Sequence, residues 1–135
     1  MNSDDKKTLI KYRLERSEES LAASKLMLDN GLYVSAMNRI YYSMFYTVQA
    51  LLILNDVSFS KHGQVKGFFN KEYIKTNILQ KDFGRLYNVV FEYRQKFDYV
   101  DLIIPERDLI VDYVDKAEFF NKEVSKYILS VVSKL

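Results

Sequence analysis

The stretch from Asn38 to Leu52, NRIYYSMFYTVQALL, carries one charge, Arg39, and neither Gly nor Pro. At about 100° per residue, Met37, Ile40, Tyr41, Met44, Phe45, Val48, Leu51 and Leu52 fall on one wide apolar face. Arg39, Tyr42, Ser43, Tyr46, Gln49 and Ile53 fall on the opposite side, where a surface helix would carry Lys and Glu. Contiguous exposed aromatic area is uncommon on a monomer, so both faces of such a helix need cover. Three kinds of cover fit: other helices of the same bundle, a second copy of the chain, or stacked nucleobases. Tyr42 and Tyr46 beside Arg39 suit a protein interface and a base-and-phosphate surface equally well.

The rest of the chain reads as helices around this one. With four Gly and one Pro in 135 residues, the chain lacks the turn chemistry that many short strands would need. Residues 3 to about 29 place Ile10, Leu14, Leu21 and Leu28 on a stripe, with Ser17 and Ser24 small enough to admit a close neighbour. Ser3, Asp4 and Asp5 suit the start of that helix, and Asn30-Gly31 its end. The second helix spans about 33–54, and VSFSKHG is a loop. A shorter helix from Gln64 to about Tyr73 turns Val65, Phe68 and Phe69 inward. A fourth helix is expected from about Asp82 to Phe97, then a loop DYVDLIIP. Pro105 falls in the first turn of the last helix, whose stripe is Leu109, Tyr113, Ala117, Phe120, Val124, Ile128 and Val131. The expected fold is all-α: one domain over residues 1–135, an antiparallel up-and-down bundle of four long helices plus one short helix.

Several classes of chemistry are excluded. No Cys means no disulfide framework, thiolate zinc site or cysteine nucleophile, which fits a cytoplasmic location. No window approaches the roughly 18 uncharged residues of a membrane span, and no signal sequence is evident at the N-terminus. Without a phosphate-binding Gly loop, a calcium-binding loop or a cluster of metal ligands, neither metal nor cofactor is expected. The acids Asp108, Asp112, Asp115 and Glu118 read as a solvated stripe. Net charge is only +2, yet it is uneven. Lys61 to Arg85 holds six Lys or Arg against Glu72 and Asp82, and Asp98 to Glu118 holds seven acids against Arg107 and Lys116.

Two residues stand out chemically. Arg94 projects from the apolar face that Phe83, Leu86, Tyr87, Val90, Tyr93 and Phe97 define on the fourth helix. A buried guanidinium needs an anion, because leaving it unpaired costs several kcal/mol. Asp98 at i+4 is the first candidate and Asp101 the next. Either that pair simply fixes the helix end, or Arg94 waits at a cleft for a phosphate, with Tyr99 as neighbour. His62 is the only histidine. Beside Lys61 it reads as a capping or solvent-facing residue, with phosphate or RNA contact as the functional alternative.

Several elements occur together and in order: Gly31-Leu32-Tyr33, Ala36, Arg39 with Tyr41-Tyr42, the Lys61-His62 turn, and Arg94 followed by Asp98-Tyr99. Over nearly the whole chain this pattern resembles the HEPN family of small helical domains, in its short prokaryotic branch. The resemblance implies a homodimeric bundle, often encoded beside a minimal nucleotidyltransferase, and an RNA-cleaving toxin in many members. In those members a catalytic Arg is followed four to six residues later by His. Arg94 matches the Arg, but no His occupies positions 98 to 101, and Asp98-Tyr99 stand there instead. At neutral pH a carboxylate is a poor acid and a phenol a poor base, whereas an imidazole suits both tasks.

The leading expectation is therefore an RNA- or nucleotide-binding, toxin-like component of a toxin-antitoxin pair with a nucleotidyltransferase. Arg94, Asp98 and Tyr99 would form its centre, with Arg39, Tyr42, Tyr46, Lys61 and His62 as nucleotide or single-stranded RNA contacts. The alternatives are an active metal-independent ribonuclease and a non-catalytic interaction module.

Overall fold

A computed structural model describes residues 1–100 and 102–135, and all of its regular structure is helical. Five helices run in order: α1 (Ser3–Asp29), α2 (Tyr33–Leu54), α3 (His62–Phe69), α4 (Lys81–Tyr99) and α5 (Arg107–Val132), with a π-helical turn (Asn70–Ile74) continuing α3. The expected bundle of four long helices and one short one is therefore present. No helix among the described residues is long and apolar enough to cross a membrane.

Local sequence explains the boundaries. Asn2, rather than Ser3, caps α1, its Oδ1 accepting from the Asp5 backbone N–H at 2.8 Å. Asp4 and Asp5 lie in the first turn, where the helix dipole favours acids. At the other end Gly31 takes φ +73°, a left-handed conformation that costs glycine nothing, and the chain turns directly into α2. Pro105 lies just outside α5, with Glu106 at the N-cap. The short helix begins at His62, two residues earlier than expected, and α4 extends through Asp98 and Tyr99. These last two differences decide the geometry of the site.

α2 is the central helix, packed against α1, α4 and α5. All eight residues of its expected core face are buried. On the other face Arg39, Tyr42, Tyr46, Gln49 and Ile53 are half-buried, but Ser43 is fully buried. Ser43 joins a hydrogen-bonded cluster that ties three helices together. Asn121 of α5 donates Nδ2 to Ser43 Oγ at 3.0 Å and accepts at Oδ1 from Thr47 Oγ1 at 3.1 Å, and Thr47 in turn meets Ser17 of α1 at 2.8 Å. A satisfied polar cluster of this kind fixes one alignment of α1, α2 and α5, since sliding any helix would orphan buried groups. Asn121→Ala is expected to cost about 1–3 kcal/mol in a urea melt while leaving helix content unchanged by circular dichroism.

The stripe of α5 differs from its expectation in the first turns. Ile110 and Val114 are buried there, whereas Leu109 and Tyr113 are half-buried; Ala117, Phe120, Val124 and Ile128 face inward as expected and Val131 does not. Phe120 sits in a nest of rings with Phe83 at 5.0 Å, Phe69 at 5.7 Å and Tyr87 at 6.2 Å between centroids. This nest joins the end of α3 to α4 and α5. Nearby, the π-helical turn comes so close to α4 that a Cβ on Gly84 would lie 2.9 Å from Ile74 Cγ2. Asn70 of the turn donates to Asn88 of α4 at 3.0 Å, which locks the approach. The start of α3 is thereby held beside the last turns of α4.

Candidate functional site

Three elements meet at the end of α4. Arg94 and Asp98 come from its last turns, one turn apart; Tyr41, Tyr42, Asn38 and Arg39 come from the first half of α2; His62 is the first residue of α3. Arg94 is neither free in solvent nor deep in the core, with 11% of its side chain exposed. Its Nε is buried and faces Asp98 Oδ2 at 3.5 Å, an ion-pair distance without hydrogen-bond geometry. Nη1 lies 3.2 Å from His62 Nδ1, and Nη2 donates to the Tyr99 hydroxyl at 2.8 Å. The guanidinium carbon sits over the rings of Tyr41, Tyr42 and Tyr99 at 5.0, 5.3 and 5.5 Å. Cation–π attraction of this kind holds the charge without consuming its donors.

Asp98 is positioned by a second partner. Asn38 Nδ2 donates to Asp98 Oδ2 at 2.7 Å, and Asn38 Oδ1 accepts from both Nε and Nη2 of Arg39 at 3.1 and 2.8 Å. The Arg39 guanidinium also lies over Tyr42 at 4.8 Å. One amide thus links the two arginines through a carboxylate. The expected Arg94–Asp98 pair is present, whereas Asp101, the other candidate partner, lies outside the described residues.

His62 departs most from its expected place. It is neither a cap nor a solvent-facing residue: its ring stacks on Phe45 at 4.3 Å and lies parallel to Tyr41 at 5.6 Å. Two groups converge on its Nδ1, the Arg94 guanidinium and the Tyr41 hydroxyl, the latter at 2.8 Å. Arginine can only donate, so Nδ1 must be the acceptor and the proton of the neutral ring sits on Nε2. Burial, then the Arg94 charge, holds the imidazole below its ordinary value. Burial also pushes the Tyr41 hydroxyl well up, which keeps it protonated as a donor.

The other expected residues divide. Tyr99 is 68% exposed and stands at the rim, touching Arg94. Tyr46 lies one turn along α2 from Tyr42, centroids 5.9 Å apart, beneath the Arg16 guanidinium at 5.4 Å rather than near Arg94. Lys61 is exposed at the N-cap of α3 and brings a cation next to His62 without a side-chain cap bond. Asp108, Asp112, Asp115 and Glu118 are all exposed. Among the described residues no group of three or more His, Cys, Asp or Glu is placed to hold a metal ion. Asn38 and Tyr41 also belong to the cluster, although neither is among the residues expected at the site. The sequence signals for Tyr41 are its place on the core face and in the Tyr41-Tyr42 pair beside Arg39, and Asn38 has none, because its partner is 60 residues away.

A HEPN domain model matches residues 10–128, which covers all five helices apart from the outer ends of α1 and α5. The chain belongs to the HEPN domain family. Among the similar proteins of this HEPN chain, a "UPF0332 protein" from Thermotoga maritima is 42% identical over 125 residues, 93% of this chain and 95% of that one. Two proteins of Methanocaldococcus jannaschii are each named "Putative toxin". One is 37% identical over 117 residues, covering 87% of this chain and 80% of its own length; the other is 30% identical over 117 residues, covering 80% and 87%. The HEPN chain is thus similar to toxin-like proteins over most of its length. In this chain the imidazole beside Arg94 is that of His62, carried on α3.

Proposed function

We propose that this HEPN protein is the RNA- or nucleotide-binding, toxin-like member of a pair with a nucleotidyltransferase, and that it works as a homodimer. The observation that carries the reading is how Arg94 uses its donors. It is largely withdrawn from water, yet its two hydrogen bonds go to neutral groups, an imidazole and a phenol. A phosphate oxygen makes a stronger, charge-assisted bond than either, so an incoming phosphate can displace both. Arg39 supplies a second guanidinium on the same side of α2. Tyr42 and Tyr99 present ring faces beside them, as single-stranded nucleic acid requires.

The test is the binding of an oligouridylate across a salt series. Each neutralised phosphate of a single strand contributes a slope of roughly −0.7 in log K against log salt. Two to three contacts therefore give a slope of about −1.4 to −2.1, whereas no binding at low salt overturns the reading.

The juxtaposition of His62 and Arg94 favours a second reading, a metal-independent ribonuclease, because an imidazole beside a phosphate-holding arginine can move protons near neutral pH. RNA incubated with the protein in chelator distinguishes the two. Cleavage lost in Arg94→Gln supports the ribonuclease, and intact RNA argues for binding alone.

A further inference from the structure

In the structure one lone pair, that of His62 Nδ1, receives two donors, and one of them is the cation that the proposed ligand would claim. Resting on the reading above, we propose that Arg94 and His62 form one phosphate clamp that closes by exchange of partners. A phosphate oxygen takes the Arg94 Nη1–H from His62 Nδ1, and the released imidazole accepts a proton from solvent and binds the same anion as a second cation.

The surroundings of the ring support this sequence. From α4 it faces Arg94, with Asp98 behind the guanidinium and Tyr99 at the rim. From α2 it faces Tyr41 and Tyr42, and Arg39 lies beyond Tyr42. On its own helix the charged neighbours are Lys61 and Lys66, and the Lys66 ammonium is turned onto the Phe91 ring at 4.4 Å. Among the described residues no carboxylate touches the imidazole, and the groups that meet its Nδ1 are one cation and one neutral hydroxyl. Arriving phosphate reverses that balance twice: it neutralises Arg94 and brings a negative charge to the ring. The Tyr41 hydroxyl can rotate its proton away from the ring, so that it does not oppose the new N–H, which is left to the anion.

The sign of the linkage follows. In the empty site the imidazole titrates below its ordinary value, and the clamp requires that the bound anion raise it above that value. Between those two values one proton is taken up per phosphate bound, and the affinity weakens about tenfold for each unit of rising pH. Outside that window the affinity is flat.

Because His62 is the only histidine, its Cε1–H resonance can be followed by NMR without assignment. The probes are an oligouridylate lacking terminal phosphates, whose diesters do not titrate in this range, and AMP as a monoester. The expected result is a midpoint below pH 6.5 in the free protein that rises by at least one unit on saturation. A shift with AMP alone or with the oligouridylate alone identifies monoester or diester as the clamp's ligand. In parallel, His62→Asn keeps an acceptor for Arg94 and Tyr41 but cannot titrate, and its oligouridylate binding should lose the pH dependence. A midpoint moved by neither ligand, although at least one demonstrably binds, overturns the clamp and leaves the binding reading intact. Absence of binding at every pH overturns both.

Discussion

Replacing Arg94 by Gln is expected to weaken oligouridylate binding about 10- to 100-fold, with a well-folded protein remaining. Charge-assisted hydrogen bonds contribute about 1.5–3 kcal/mol each, and tenfold in affinity corresponds to about 1.4 kcal/mol. Loss of one phosphate contact also lowers the salt slope by roughly 0.7. Stability falls for separate reasons: the side chain leaves three tyrosine rings, and Asp98 loses its nearby charge. Asp98 keeps the Asn38 amide, however, at 2.7 Å. It is 17% exposed, so water reaches it, and the cost should stay near 1–3 kcal/mol rather than the larger penalty of an orphaned buried charge. Arg94→Gln is chosen over Ala because it preserves volume and a donor. Unchanged affinity and salt slope in a folded Arg94→Gln protein would remove Arg94 from the site.

Phe120→Ala is expected to produce the opposite pattern, a large loss of stability with the site intact. The ring is fully buried among Phe69, Phe83 and Tyr87. Phe→Ala at such positions costs about 3–5 kcal/mol through lost burial and the cavity left behind. For a chain of this size that lowers Tm by roughly 10–20 °C. None of the site's hydrogen bonds involves Phe120, so oligouridylate affinity at low temperature, where the variant is folded, should stay within about threefold of wild type. The pair of variants separates a binding site from a purely structural Arg–Asp lock. Under the structural alternative Arg94→Gln behaves like Phe120→Ala: it melts early, and no RNA binding exists to be lost.

How far the sequence speaks depends on how far apart the interacting residues lie along the chain. The faces of α2 were legible because its apolar positions repeat with helical period over six turns, and no other structure satisfies that pattern. The Arg94–Asp98 pair was legible for the same reason, as an i, i+4 relation on one helix. Even there, ending α4 at Phe97 would have placed Asp98 in a loop; the two extra helical residues are what align it. The start of α5 misled because apolar residues sit at adjacent positions, Leu109-Ile110 and Tyr113-Val114, and two neighbouring stripes fit equally well. His62 misled more seriously. A Lys-His-Gly sequence after SFS has the composition of a loop, and nothing local reports that Phe45, Tyr41 and Arg94 surround the ring. Asn121 is similar: its partners are Thr47 and Ser43 of α2, so its burial follows from tertiary packing alone.

These hidden contacts are the ones that change the chemistry. Read along the chain, Arg94 has no histidine nearby. Read in space, it has one, carried in from α3 and held with its acceptor nitrogen facing the guanidinium.

The most direct measurement is a crystal structure determined with AMP. The phosphate is expected between Arg94 and His62, with Nη1 now on a phosphate oxygen and no longer on Nδ1. A phosphate bound elsewhere, with the Arg94–His62 contact still closed, would contradict the central claim.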